Sequence, residues 1–541
     1  MRFNSVLLLS FGPPLSLEIS LGLIISSIQE FKQFTSRLSK METNNEKLSI
    51  EELPEEIIEK ILSYLNVKSL KTAALTCERW NRISAEMRWE LKLKFEDKNE
   101  IEEEPWIETL LESNRNFKSI QCEGFIEKRN VRLMDIFEKH GGNVQKLVMV
   151  DCEFDNFQIF CDVLNFMPNL KEVTFRYSDT RGRFVNNFSE DHLPHLPKLE
   201  TLKLVVSDLE LIKYFKNTKL NSFEIFDDNM KRRQEDVIIL LDFLTHQKNL
   251  KCLKLEYISS SFFSEFFETI ATENFPYKLK ELSLSPFYIW RTFNHSNFSN
   301  FLEFHSDTVE KLRLRKNLPD LIVRFSFSKF KRLAALTFFD DLILRFPNDL
   351  SRLEINPNIK ILNIPRLKLI GVKEDALKEF LKHVPNVEML RTSGSINLHV
   401  VSNALTCLTH LELCEMFPYL DQMKSQSLRS ITIDWLIFIP DWKKFAASNP
   451  NVKKMKIKYA HGNFNIVRFL TNMKLQHLEL PKIKVDVNVC KALHENTQDM
   501  KSLSIHKASF VNCQENLSDV KCLRFHDDYE IYDDDKIWYD I

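Results

Sequence analysis

One short pattern governs the chain from residue 117 onward: an apolar residue, two variable ones, a second apolar residue, one variable, and a third apolar residue. It appears as Phe117/Ile120/Cys122, Val144/Leu147/Met149, Leu170/Val173/Phe175 and Leu199/Leu202/Leu204, and continues through Leu408/Leu411/Leu413 to Val520/Leu523/Phe525. First positions recur every 20 to 30 residues, in about seventeen copies. That period marks stacked supersecondary units. The closing apolar–variable–apolar alternation puts both apolar side chains on one face of a short strand. Between strands, helical spacing recurs: Leu377, Phe380, Leu381 and Val384 share one side, as do Leu240, Leu241 and Leu244. Proline stop signals follow at Pro168, Pro197, Pro357, Pro385 and Pro450, each just before the next strand. A strand–helix unit this small cannot bury its own face, so neighbours must stack. Around 333–364 the register has a competitor, Leu350/Leu353/Ile355 beside Ile359/Leu362/Ile364.

Composition removes other classes. At 541 residues the chain exceeds one compact core. Nine glycines are too few for folds in which backbone must approach phosphate, and 43 phenylalanines supply apolar material for a long, narrow core. A formal net charge of −2 offers no global field for nucleic acid or an anionic membrane. The ten cysteines show no Cys-x-x-Cys and no zinc-ligand spacing with histidine. They read as reduced core thiols of a cytosolic or nuclear protein, not as a disulfide framework.

No nucleophile motif, phosphate loop or His-Glu-x-x-His helix occurs, so no catalytic residue, metal site or cofactor is expected. His192 and His195 flank Pro194 without a third ligand nearby and read as a surface loop. Two basic stripes stand out. Lys311, Arg313 and Arg315, and likewise Lys454, Lys456 and Lys458, alternate with apolar residues, so each trio shares one strand face. They are candidates for recognising an acidic or phosphorylated segment of a protein target. The bland account is that they keep an exposed face soluble.

Ahead of the repeats lies a different pattern. Leu53-Pro54 opens a helix as proline favours. Ile57, Ile58, Ile61, Leu62 and Leu65 make its apolar stripe, opposite Glu55, Glu56, Glu59 and Lys60. A second amphipathic piece carries Val67, Leu70, Ala74 and Leu75, and a third carries Cys77, Trp80 and Ile83. In order and spacing, Leu53-Pro54, Glu56, Ile57-Ile58, Ile61-Leu62, Leu65, Leu70, Cys77 and Trp80 resemble the F-box. The repeats resemble the leucine-rich repeat. They depart from it in rarely placing Asn or Cys three residues after the last apolar strand position, where Cys152 and Asn317 are the matches.

The organisation expected is a leader over 1–47, an F-box over 48–95, an acidic linker over 96–105 with six carboxylates, repeats over 106–526, and an acidic-aromatic tail over 527–541. The apolar run before Ile28 has the basic start of a secretory signal, but Pro13-Pro14 and Glu18 interrupt it as a span. Met41 is the expected native start, with residues 1–40 a gene-model extension. The tail reads as a cap or as disorder, ahead of a fold-back onto a basic stripe.

The fold class expected is thus an α/β solenoid, a short all-α F-box followed by an irregular leucine-rich-repeat horseshoe with parallel strands on the concave face. The resemblance implies a substrate receptor of an SCF-type ubiquitin ligase. Its F-box docks a Skp-type adaptor, and through it a cullin scaffold, by Leu53, Pro54, Ile57, Ile58, Ile61, Leu62, Leu65 and Trp80. The repeats hold a protein target. The alternative is a non-catalytic repeat scaffold whose F-box-like helices only cap the solenoid.

Overall fold

A computed structural model describes residues 53–62, 72–86, 89–94, 105–125, 132–153, 157–178, 193–227, 234–270, 275–286, 295–315, 329–339, 341–345, 353–370, 373–392, 396–414, 420–436, 440–460, 465–480, 484–506, 509–510 and 523–526. Leu65, His192 and Asn317, and the expected leader, linker and tail apart from Pro105, lie outside these residues. The chain divides into two compact units, one of Met1–Asp227 with Arg233–Leu250, the other of Asp228–Arg232 with Lys251–Ile541.

The first unit opens with helices α1 (Glu55–Leu62) and α2 (Glu78–Glu86). Strands Trp89–Lys94, Phe117–Glu123, Lys146–Val150, Glu172–Arg176, Thr201–Val205 and Ser222–Phe226 then pair in chain order, all parallel. The register keeps the repeat in step: Ile120 faces Leu147, Leu147 faces Val173, Val173 faces Leu202, and Leu202 faces Phe223. Trp89–Lys94 carries no full copy of the repeat, yet it extends the sheet beside Phe117–Glu123. Its signal is only the alternation of Leu91 with Leu93.

The second unit repeats the scheme from Cys252–Ile258 to Leu523–His526, again with parallel neighbours. Its ambiguous stretch resolves simply. Strand Ala335–Phe338 pairs directly with Ile361–Ile364, Leu336 facing Leu362, while Ile355 is 63% exposed. Leu353 and Ile355 therefore lie in no repeat strand, and Leu350 falls outside the described residues. A second parallel pair, Asp341–Arg345 with Arg366–Ile370, follows these two strands.

Every repeat triplet from Phe117/Ile120/Cys122 to Met500/Leu503/Ile505 is buried. Full burial of one such apolar side chain is worth about 1.5–3 kcal/mol. The rows of identical positions are therefore the main cohesive element of each unit, and helices such as Gln234–His246 and Lys373–Lys382 close them from one side. Helices end before Pro168, Pro385 and Pro450 as expected. No helix immediately precedes Pro197 or Pro357 among the described residues.

Several strands leave the sheet by one recurring turn. Gly124, Asp151, Tyr177, Val206 and Tyr257 all have φ between 48° and 73°. Each stands two residues after a buried strand residue and just before another: Phe125, Cys152, Ser178, Ser207 or Ile258. A left-handed backbone costs a non-glycine residue about 1–2 kcal/mol. The cost is offset because the turn aims each N–H at the next strand, Asp151 N–H donating to Arg176 at 2.8 Å and Val206 N–H to Phe226 at 2.7 Å. At the position where leucine-rich repeats often carry Asn or Cys, this unit uses hydroxyls. Ser178 Oγ accepts from Cys152 N–H at 3.5 Å, and Ser207 Oγ from Ser178 N–H at 3.2 Å.

The opposite ends of the strands are stapled by amides. The asparagine after each helix-stopping proline donates to a carbonyl of the preceding repeat: Asn169 to Gly142 at 2.7 Å, Asn386 to Pro357 at 2.9 Å and Asn451 to Gln426 at 2.7 Å. Asn449, 2% exposed, goes further. Its Nδ2 donates to Met423 and Phe445, and its Oδ1 accepts from Ser425 N–H, each at 2.9 Å. Asn449→Ala should cost about 2–3 kcal/mol, because buried partners lose their bonds without regaining water. Urea unfolding of the full chain checks this, and a loss below about 0.5 kcal/mol would show that the partners find water instead.

Cysteine usage needs a correction. Seven of the described cysteines are free thiols, but Cys490, expected to be reduced, is disulfide-bonded. Pairing depends on spatial approach, and nothing in the cysteine spacing announces it. Among the described residues no helix is long and apolar enough to cross a membrane.

Candidate functional site

The helical module begins where Pro54 closes the first turn, its carbonyl accepting from Ile57 N–H at 3.1 Å and Ile58 N–H at 3.2 Å. Ile58, Ile61 and Leu62 face inward on α1. Leu53, Ala73, Ala74, Trp80 and Ile83 complete a small closed core, each 6% exposed or less. Arg79 of α2 donates to the Leu53 carbonyl at 2.6 Å, and Arg82 pairs with Glu55. That contact draws the Glu55 carboxyl below its usual range. A two-helix corner is thus tied at the start of α1 by two arginines from α2.

Of the expected docking residues, then, Leu53, Ile58, Ile61, Leu62 and Trp80 hold the module together. Pro54 is exposed and Ile57 half-buried. The outward apolar residue that sequence reasoning placed on the packed face is Leu75, 79% exposed in the turn before α2. It follows Ala73 and Ala74, which do turn inward, and the second piece ends there. Amphipathic spacing stops being informative within one residue of a helix end. Among the described residues, Pro54, Ile57 and Leu75 are the module's apolar outward residues, beside Glu55, Glu56, Glu59 and Glu78.

The two basic stripes are largely matched by acids on adjacent strands. Arg313, 5% exposed, meets Glu281 at 3.4 Å, and Lys254 meets the same carboxylate at 3.6 Å. Arg315 lies over the Tyr257 ring, 4.6 Å from its centroid. Lys456 reaches Glu479 at 3.0 Å, while Lys458 reaches Asp434 at 2.9 Å and Glu412 at 3.5 Å. Lys454 is exposed and Lys311 half-buried. The sheet brings these cations into line as the alternation requires, but it lines up carboxylates beside them.

Glu412, Asp434 and Cys414 place one ligand atom each within 4.8 Å of one another. Arg391 meets Glu412 at 3.5 Å and donates to Cys414 Sγ at 3.1 Å, and Lys458 holds both carboxylates. Burial pushes the Cys414 thiol up to about 11, against the pull of Arg391. A protonated thiol among paired carboxylates is poor both as a nucleophile and as a ligand. Next to this cluster, Trp435 and Tyr459 face each other across adjacent strands, stacked at 4.5 Å and 20°.

An F-box-like family model matches residues 50–89. The sequence matches no curated protein. Among solved structures, the mouse RP105/MD-1 complex is similar at TM-score 0.39 and 11% identity, over 83% of this chain and 76% of that one. The leucine-rich repeat-containing protein LegL7 of Legionella pneumophila is similar at TM-score 0.31 and 13% identity, over 69% and 91%. An internalin of Listeria monocytogenes is similar at 0.30 and 14%, over 74% and 93%. The chain therefore carries an F-box-like module over residues 50–89, followed by in-step parallel strands in the pattern of the leucine-rich repeat.

Proposed function

We propose that this protein is the substrate-recognition subunit of an SCF-type ubiquitin ligase. Its F-box docks a Skp-type adaptor, and thereby a cullin, while the repeats hold a protein target. The observation that carries the proposal is the F-box-like module itself, closed on its own core and turning Pro54, Ile57 and Leu75 outward. The chain's part in the chemistry is positioning: tethering raises the concentration of target lysines near a charged conjugate. On the repeats, Lys311 and Lys454 are the more accessible members of the target-binding set, with Arg315, Lys456 and Lys458 beside them. Arg313 is buried and pairs with Glu281.

The test is purification of the tagged full chain from cells with the proteasome blocked. The expected result is near-stoichiometric recovery of a Skp-type adaptor. Recovery of the folded chain without any adaptor would instead favour the scaffold reading.

A further inference from the structure

The charged residues of four neighbouring strands in the first unit, Lys146–Val150, Glu172–Arg176, Thr201–Val205 and Ser222–Phe226, are Lys146, Glu172, Arg176, Lys203 and Glu224. All but Arg176 form one ladder across the sheet. Glu172 meets Lys146 at 3.2 Å and Lys203 at 3.6 Å, and Lys203 reaches Glu224 at 3.7 Å. Arg176 is exposed, and among the described residues its guanidinium has no acid within salt-bridge reach. The register sets it in a row that is otherwise apolar. Val150, Arg176, Val205 and Phe226 meet across the four strands, the three apolar members half-buried. Strand residues alternate sides, so this row lies on the sheet face turned away from the buried triplets.

At the end of the row stand Tyr177, 59% exposed, and the half-buried Val206, with φ of 51° and 48°. Gly124 and Asp151 hold the same turn position two and one strands away, and both residue types adopt it readily. A tyrosine there costs about 1–2 kcal/mol. Its side chain gains no hydrogen bond or ring contact among the described residues in return. Backbone geometry thus gives no reason for an aromatic residue at 177, and such an outlier points to function. Tyrosine and arginine are also the side chains that anchor interfaces most often. We propose that this row docks a short extended segment of a protein partner. A carboxylate side chain of that segment pairs with Arg176, and a neighbouring apolar side chain packs on Tyr177 and Val205. The inference rests on the reading in which the repeats hold a protein target, and deepens it with a site outside the two basic stripes.

Size and charge define the occupant. Three strand spacings separate Val150 from Phe226, about 14 Å. About four extended residues cover that distance. The guanidinium fork matches a carboxylate bidentately, and apolar flanks keep water from the pair. A phosphate fits less well, because a dianion is held by a cluster of arginines. Here a single cation has the exposed Asp151 at the end of the adjoining strand, its N–H donating to the Arg176 carbonyl at 2.8 Å.

The test pans random heptapeptides displayed on phage against the immobilised full chain, then titrates the synthesised consensus peptide. Enriched sequences should carry Asp or Glu close to a large apolar residue. Arg176→Glu should weaken the consensus peptide about tenfold or more, and a peptide with lysine in place of its acid should regain binding to that variant. Tyr177→Asn relieves the left-handed backbone, so it should weaken the peptide about fivefold while the melting temperature holds or rises. The proposal is overturned if no peptide is enriched, if the enriched peptides lack acids, or if both variants bind the consensus as the original chain does. Tighter binding with phosphoserine in place of the acid overturns it equally. Adaptor recovery separates the two readings. A chain that binds the peptide through Arg176 but recovers no adaptor faults the ligase reading alone, and one that recovers the adaptor but fails the peptide criteria faults this site alone.

Discussion

Phe267→Ala should remove about 3–5 kcal/mol from the second unit, the range for a large aromatic truncated in a core that cannot collapse around the loss. Phe267 has no exposed surface and lies in the helix Ser260–Ile270. Its ring touches Phe263 at 4.7 Å and Phe266 at 5.1 Å on its own helix, then Phe298 at 4.8 Å and Phe301 at 5.3 Å on the next, His295–His305. It therefore joins two consecutive repeats on their helical side, with Phe263 reaching Phe298 beside it at 6.1 Å. The neighbourhood is dry enough to hold His305 neutral, burial pushing its pKa down to about 3. Water is thus a poor filler for the space left behind. Because a repeat array is held by nearest-neighbour interfaces, the damage should stay local. Hydrogen exchange should show the helices 260–270 and 295–305 losing protection first, with the strands after residue 400 little changed. A loss under 1 kcal/mol in urea unfolding, or protection lost evenly along the unit, would mean that the phenylalanine cluster is not an inter-repeat joint.

The strands were legible because their signal is redundant: the same three positions face the core in every copy, and parallel pairing then forces like positions to meet. Leu282 opposite Leu312 follows from the repeat with no knowledge of anything else. Where the pattern weakened, at Leu350 to Ile364, sequence alone could not choose between two equally spaced triplets, since the choice depends on which strand Ala335–Phe338 reaches. The left-handed turns were invisible for a different reason. Asp151, Tyr177, Val206 and Tyr257 share a backbone conformation but no side-chain chemistry, and the hydrogen bonds that enforce it come from the next strand. In the same way, Lys456 and Lys458 read as a bare basic stripe because their partners Glu479, Asp434 and Glu412 lie on neighbouring strands, twenty or more residues away in the chain. The F-box motif was legible as a module but not as a surface. Its most diagnostic residues, Leu62 and Trp80, are diagnostic because they are core, so a match at those positions reports folding and leaves the docking face open.

That distinction makes two substitutions diverge. Leu62→Ala removes a fully buried side chain from a core of few residues, and a loss of about 2–4 kcal/mol is enough to unfold a corner this small. Adaptor capture should disappear with it, but so should the protection of α1 and α2 against exchange. Leu75→Glu is different. At 79% exposure the side chain buries little apolar surface, so the helices should keep their protection and the melting profile should not move. If the F-box docks an adaptor through its outward apolar residues, this change sets an unpaired carboxylate against a dehydrated interface beside Glu78 and should weaken binding by about 2 kcal/mol or more, some thirtyfold. Ile57→Glu, in the first turn of α1 and half-buried, should act in the same direction. Titration of purified adaptor onto the full chain reads the affinity, and exchange protection of residues 55–62 and 78–86 reads the fold. Unchanged affinity in both glutamate variants, with the helices still protected, would remove Leu75 and Ile57 from the docking face. The contact would then have to be sought on the acidic surface formed by Glu55, Glu56 and Glu59.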